Sequence, residues 1–349
     1  MVTGRGVFAL MCALALGSIT LVAQKGDQQK PAPRKLSDAQ KKDLQAVLKA
    51  VDDAAAGQQP PNDLALTWVH ENLLKAQSNK QYVPFTIKID AAKVAAGSLS
   101  LYWRVVDKAA APPPAAPGKK DDKKETKRPE FAFEDFGTVQ SAAAQNRISR
   151  AFMAAAGDYD VWVAVKESIP DKAPKNAPPS KISVLKHSIA VPDFWNGELN
   201  TSVIVAQRID PLPAPLTPEQ QVERPYALGA IEIIPAVDTK FSKMAELSTF
   251  VMVYNAKPDS ANRPDVVIEY NFYAKQAGAE KFFNKTSPQN LNAETLPPQF
   301  YFAAGLLQSG QAVPLSSFPE CEYRLEIKIT DKIANKSLTR DVNFTVTSS

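Results

Sequence analysis

The chain has 349 residues, 44% of them hydrophobic and 22% charged, with a formal net charge of +4. That is enough apolar material for two or three packed domains, and the charge is too ordinary for a disordered chain. The 28 prolines against 14 glycines, with only 2 histidines, suit a β-rich protein with rigid turns and leave little for histidine-based metal or acid–base chemistry.

The N-terminus carries Arg5 and then an apolar run at residues 7–23, after which the sequence turns polar at once. This is the layout of a secretory signal peptide, with cleavage after Gly17 or Ala23. The run is also just long enough to serve as a retained membrane tether through residues 7–23. Either way the expected location is exported: periplasmic, cell-envelope or extracellular. Cys12 lies in this leader, so a processed chain keeps only Cys321 and forms no internal disulfide. Cys321 then either packs as a small hydrophobe or makes an intermolecular disulfide.

A polar linker leads to a helix at 36–56, where Ser37 and Gln40 have capping-box spacing and Leu44, Val47, Leu48 and Val51 share a face. A second short helix is expected at 64–76. From there the apolar period becomes two. Strands are expected at 83–89, 99–106, 131–136, 159–165, 182–191, 202–206, 230–234, 249–254, 266–273, 300–303, 323–329 and 338–346. Residues 109–130 read as a mobile, alanine-, proline- and lysine-rich insertion. Its stretch from Lys119 to Arg128 holds six basic and three acidic residues, so most of the net charge is one loop. A nucleic-acid partner is therefore not expected.

Five blocks recur in the same order. Residues 84–90 align with 249–255, 99–108 with 266–275, and 129–141 with 298–309. Residues 157–165 align with 321–329, placing Tyr159 on Tyr323, and 187–191 with 342–346. The duplication predicts a mainly β fold of two tandem immunoglobulin-like antiparallel β-sandwiches preceded by an N-terminal helical segment. The expected division is leader 1–23, linker and helix 24–63, first sandwich 64–194 and second sandwich 195–349. The stretches PYALGAIEIIPAVD (225–238) and FPECEYRLEIKITDKIANKSLTRDVNFTV (318–346) resemble the Ig-like region of exported bacterial proteins of unknown function, of the type that accompanies GWxTD domains. The GWxTD sequence itself is absent. The resemblance implies a sandwich and a cell-envelope setting, and it brings no catalytic residues.

No set of side chains converges on a chemistry. Ser183 and Lys186 fit an S-x-x-K pattern, but in a period-two segment they fall on opposite faces. His187 is in phase with apolar neighbours, and His70 stands in the segment read as helical, far along the chain. Asp158 and Asp160 flank Tyr159 at strand spacing and could bind a cation, yet the repeat replaces them by Glu322 and Arg324. Glu134 and Asp135 are a poor acid–base pair for the same facing reason. Asn200, Asn284, Asn335 and Asn343 match N-x-S/T. Among Trp68, Trp103, Trp162 and Trp195, the last sits at the expected domain boundary and is the candidate exposed contact for a ligand or partner. The expected function is a non-enzymatic envelope binding or scaffold protein that uses no metal or cofactor and has other envelope proteins or glycans as partners. The alternative is a carbohydrate-binding sandwich.

Overall fold

The computed structural model describes residues 35–94, 97–110, 130–140, 146–169, 179–276, 278–296 and 305–348. The leader at 7–23, most of the 109–130 insertion and the strand expected at 300–303 lie outside the described residues. Helix α1 (Asp38–Ala55) precedes strands β1 (Thr67–Glu71), β2 (Leu74–Lys75), β3 (Gln81–Lys88), β4 (Ser98–Asp107), β5 (Phe133–Gln140), β6 (Arg147–Ala154), β7 (Gly157–Glu167) and β8 (Ile182–Val191). Then come β9 (Asn200–Pro211), helix α2 (Pro218–Glu223), β10 (Ala227–Leu228), β11 (Ile231–Pro235), β12 (Lys240–Ser242) and β13 (Glu246–Tyr254). The chain closes with β14 (Asp265–Gln276), β15 (Ala279–Lys285), β16 (Gln289–Asn292), β17 (Leu306–Pro314), β18 (Glu322–Asp331) and β19 (Lys336–Thr347).

The fold is mainly β and sandwich-like. In the first half β1 and β2 share one edge of β3, β6 takes the other, and this layer faces a sheet ordered β5-β4-β7-β8. Val83, Phe85, Leu101, Trp103, Val161 and Val163 fill the space between them. In the second half the order β10-β11-β9-β13-β17 faces β12-β19-β18-β14-β15. Their core holds Val251, Ile268, Phe272, Phe318, Tyr323 and Phe344. The ladders are antiparallel except for the short β12–β19 contact, which is parallel.

The repeat is visible as ladder register. Tyr159 pairs with Asp107 and Ile189, while Tyr323 pairs with Ala274 and Phe344. These are the partners that the sequence blocks align. Both tyrosine hydroxyls also reach back four residues, Tyr159 to the Ala155 carbonyl at 3.2 Å and Tyr323 to that of Pro319 at 2.8 Å.

Three expectations are corrected. Residues 64–76 form β1 and β2 rather than a helix, because β3 offers them an unfilled edge and pairing outweighs local spacing. The third repeat block joins unlike strands: β5 lies beside β4, whereas β17 lies beside β13. The first block is slipped by an odd number of residues. It aligns Phe85, in the first core, with Phe250, which points away from the second core, and a slip of one exchanges the faces of a strand.

Helix α1 forms where its capping box predicts: Ser37 Oγ accepts from Gln40 N at 3.2 Å, and Ser37 N donates to the Gln40 side chain at 2.9 Å. Its apolar face lies on the outer side of the β4-β7-β8 surface. Val47 and Val51 meet Tyr102, Trp162, Ala164 and Val184, each burial worth about 1.5–3 kcal/mol. Under the helix, Asp43 and Lys166 form a buried ion pair at 2.6 Å, with side-chain exposures of 1% and 8%. The outer faces of the two halves carry one cross-strand pair with opposite signs. Asp160 meets Lys186 at 2.7 Å in the first half, and at the same positions Arg324 meets Asp341 at 2.8 Å in the second.

Candidate binding site at the junction of the two halves

Strand β13 is apolar on both faces, and this decides how the halves meet. Val251 and Val253 enter the second core, while Phe250, Met252 and Tyr254 point the other way. Against them pack Leu74 and Tyr82 from the first half, Phe194 from the connection, and Ile204, Tyr226 and Ile233 from the second. Polar groups close the seam. Tyr82 Oη donates to the Pro225 carbonyl at 2.9 Å, and Tyr226 Oη donates to Asn72 Oδ1 at 3.1 Å. Lys75 N donates to Tyr254 Oη at 3.2 Å, and Ser202 Oγ donates to the Leu73 carbonyl. Burial pushes the Tyr254 phenol up to about 12 and raises Tyr82 and Tyr226 as well, so all three stay neutral donors.

Trp195 stands at the rim of this seam, 38% exposed. Its indole N–H donates to the Lys80 carbonyl at 3.1 Å, and Lys75 Nζ lies 4.3 Å from its ring centroid. The same ammonium donates to Asn255 Oδ1 at 2.6 Å. Asn255, held at φ 59, returns its amide to the carbonyls of Phe194 and Glu198. Part of Trp195 is thus spent on fixing the connection, and its remaining surface borders solvent. Beyond it a groove of 480 Å³ runs past Leu199, Asn255, Pro258, Asp331, Ile333 and Lys336. The Asp331 carboxylate there accepts from the backbone of Lys257, Ile333 and Ala334, and Lys336 meets Glu198 at 2.7 Å. The groove's polar atoms hold its turns together.

The two histidines stand on β1 and β8 in different surroundings. Trp68 lies between the rings of Phe85 and His187, at 4.8 and 4.2 Å, and its Nε1 donates to Glu71 Oε2 at 2.6 Å. His187 Nε2 is 3.6 Å from that carboxylate. His70 faces the ring of Tyr226 at 6.0 Å, with both ring nitrogens buried and no partner among the described residues. Desolvation lowers its pKa, opposed by Glu71 and aided by Arg147.

The remaining sequence candidates are not brought together. Ser183 is buried and accepts from Leu64 N at 2.7 Å, whereas Lys186 is on the other face with Asp160. Asp160 also meets Lys108 at 3.3 Å and Ser188 Oγ at 2.7 Å, so amines and a hydroxyl fill the place of a cation. No group of three metal-ligating side chains occurs among the described residues. Glu134 accepts from the Tyr102 hydroxyl at 2.9 Å, and Asp135 caps the Phe136 amide. Trp103 is a core residue, and Trp162 lies beneath α1. Cys321 is half-buried with a free thiol. Sequence reasoning missed Tyr82, Tyr226, Tyr254, Lys75 and Asn255. The unbroken apolar run at 250–254 was the available signal, since it implies burial of both strand faces.

No family model matches the chain, and no curated protein matches it. Among solved structures, it is similar to a DUF4785 family protein from Legionella pneumophila subsp. pneumophila, with 8% identity and a TM-score of 0.23 over 77% of this chain and 56% of that one. It is also similar to native E. coli alpha-2-macroglobulin, with 9% identity and a TM-score of 0.22 over 83% of this chain and 16% of that one. The chain thus spans just over half the length of the first and a small part of the second, and likenesses this slight assign neither fold nor function.

Proposed function

We propose that the chain is an exported, non-enzymatic binding or scaffold protein of the cell envelope, built from two tandem immunoglobulin-like domains, 64–194 and 195–349, behind the N-terminal helix. The locked junction carries the reading. Two modules whose seam is an apolar core laced by hydrogen bonds from Tyr82, Tyr226, Lys75 and Ser202 hold their outer surfaces at one separation and angle. A scaffold needs that rigidity. The Ig-like assignment draws support from the repeated strand order and from the two tyrosines that reach back to backbone carbonyls, as a tyrosine corner does. Export draws support from the apolar stretch at 7–23.

The test is expression of the full chain with its own N-terminus in a bacterial host, followed by fractionation, N-terminal sequencing and cross-linking in intact cells. Recovery from the envelope or periplasm, with discrete cross-links to other envelope components, is expected. Cytoplasmic retention overturns the export reading. Turnover of ester, peptide or glycoside substrates that is lost on a single side-chain change overturns the non-enzymatic one.

A further inference from the structure

We infer that the outer face of the β15-β14-β18-β19 sheet is a binding face for a neutral polysaccharide; this deepens the binding reading above and rests on it. The argument begins with the contrast between the two halves. The outer face of β4, β7 and β8 is covered by α1, which sits on Tyr102, Trp162, Ala164 and Val184. The corresponding positions in the second half are Glu269, Glu326, Lys328 and Thr339. A helix of the α1 type has no apolar seat there, and no described segment covers the face.

What the face carries instead is an aromatic edge beside a row of hydrogen-bonding groups. Phe282, on β15, is 57% exposed and meets Tyr273 edge-on at 5.9 Å. A bulge in the β14–β15 ladder, where Phe272 pairs with Asn284 and Tyr273 with Phe282, places Phe282 over Tyr273 and leaves Phe283 to pack on the core. The Arg324 guanidinium lies 4.4 Å from the Tyr273 ring. It meets Glu280 at 3.0 Å, Glu326 at 3.3 Å and Asp341 at 2.8 Å. Across the strands, Asn271 donates to Glu326 at 3.2 Å and Lys275 to Asn343 at 2.9 Å.

The chemistry of these groups selects the ligand. A large ring left in solvent is an anchor for an apolar surface. The adjoining carboxylates and amides keep lone pairs free for hydroxyl donors. The face is mildly acidic, because Arg324 is outnumbered by the three carboxylates it meets, while Lys328 faces Glu269 at 3.7 Å. An anion would meet surplus carboxylate. A cation would have to share those carboxylates with the guanidinium and ammonium groups they already hold. A sugar chain combines apolar C–H faces with hydroxyls that both donate and accept, and it carries no charge.

The test uses the full chain in native gels cast with soluble glucan, mannan or xylan, with polygalacturonate and polylysine as charged probes. Retardation by at least one neutral polysaccharide is expected, with affinity weakened about tenfold or more in Phe282→Ala and in Tyr273→Ala. Phe282 is exposed, so its variant should keep the wild-type thermal midpoint. Retardation by a charged probe alone, or unchanged retardation in both variants, overturns the inference. So does the absence of any retardation. When envelope cross-links persist in that last case, the scaffold reading stands while this ligand falls.

Discussion

Replacing Asp43 with Ala should release α1 from the first half. The Asp43 carboxylate accepts from Lys166 Nζ at 2.6 Å, from Ser100 Oγ at 3.0 Å and from Ile169 N at 3.1 Å. Removing it leaves the Lys166 ammonium, 8% exposed, under the helix without its counter-charge. Breaking a buried pair in this way costs about 3–5 kcal/mol. The backbone N–H of Ile169 loses its acceptor at the same time, a penalty included in that range. Lys166→Met alone spares the bonds from Ser100 and Ile169 and should cost less. The double variant Asp43→Ala/Lys166→Met should cost less than the two single variants together, by roughly 1–3 kcal/mol. The assay is urea unfolding at pH 7, read by tryptophan fluorescence because Trp162 sits in the helix–sheet seam. A loss below about 1 kcal/mol for Asp43→Ala, or strict additivity in the cycle, would show that the pair does not hold the helix down.

Three other perturbations test the seam and the repeat. His70 is held neutral by burial, so its folded pKa lies below the unfolded value of 6.5. The stability this contributes is complete above that value and is lost as pH falls through it toward the depressed folded pKa. Thermal midpoints should therefore drop from pH 7 to pH 5 more steeply in the wild type than in His70→Leu, and identical slopes would refute the assignment. Tyr159→Phe and Tyr323→Phe each delete one hydroxyl bond to a carbonyl four residues back and should each cost about 1 kcal/mol in chemical unfolding, with equal effects in the two halves. Trp195→Ala removes the contact with Lys75 and the bond to the Lys80 carbonyl, a loss of about 1–2 kcal/mol. It should appear as faster proteolysis in the connection at 192–199, and an unchanged cleavage rate there would count against a locking role.

The parts of the fold legible in the sequence were those governed by local patterning. Ser37 and Gln40 announce α1, and the alternation in 99–108 and 266–275 gives both the strands and their mutual register. Strand β6 escaped because Arg150, buried at 4% exposure, interrupts the apolar set of Ile148, Phe152 and Ala154. Strand β15 has no alternation to read, since it is an exposed edge. Leu66, Val69, Leu73 and Leu74 satisfy helical spacing, and only the free edge of β3, supplied by distant residues, makes them strands. The junction depends on side chains such as Lys75 and Asn255, which are 180 residues apart, and no local pattern encodes that meeting. The position of Trp195 at the boundary is legible in the sequence, whereas its contacts with Lys75 and Lys80 depend on the folded chain.

The inverted pairs on the two outer faces bear on how a duplicated chain avoids assembling wrongly. Two halves of like register invite one to borrow the other's last strand during folding. Were β19 to dock beside β7, Asp341 would approach Asp160; were β8 to dock beside β18, Lys186 would approach Arg324. Each exchange would replace an attraction with a repulsion, while the native arrangement satisfies both pairs. The opposed signs thus favour correct strand ownership, with β8 and β19 each kept in the half in which it was made.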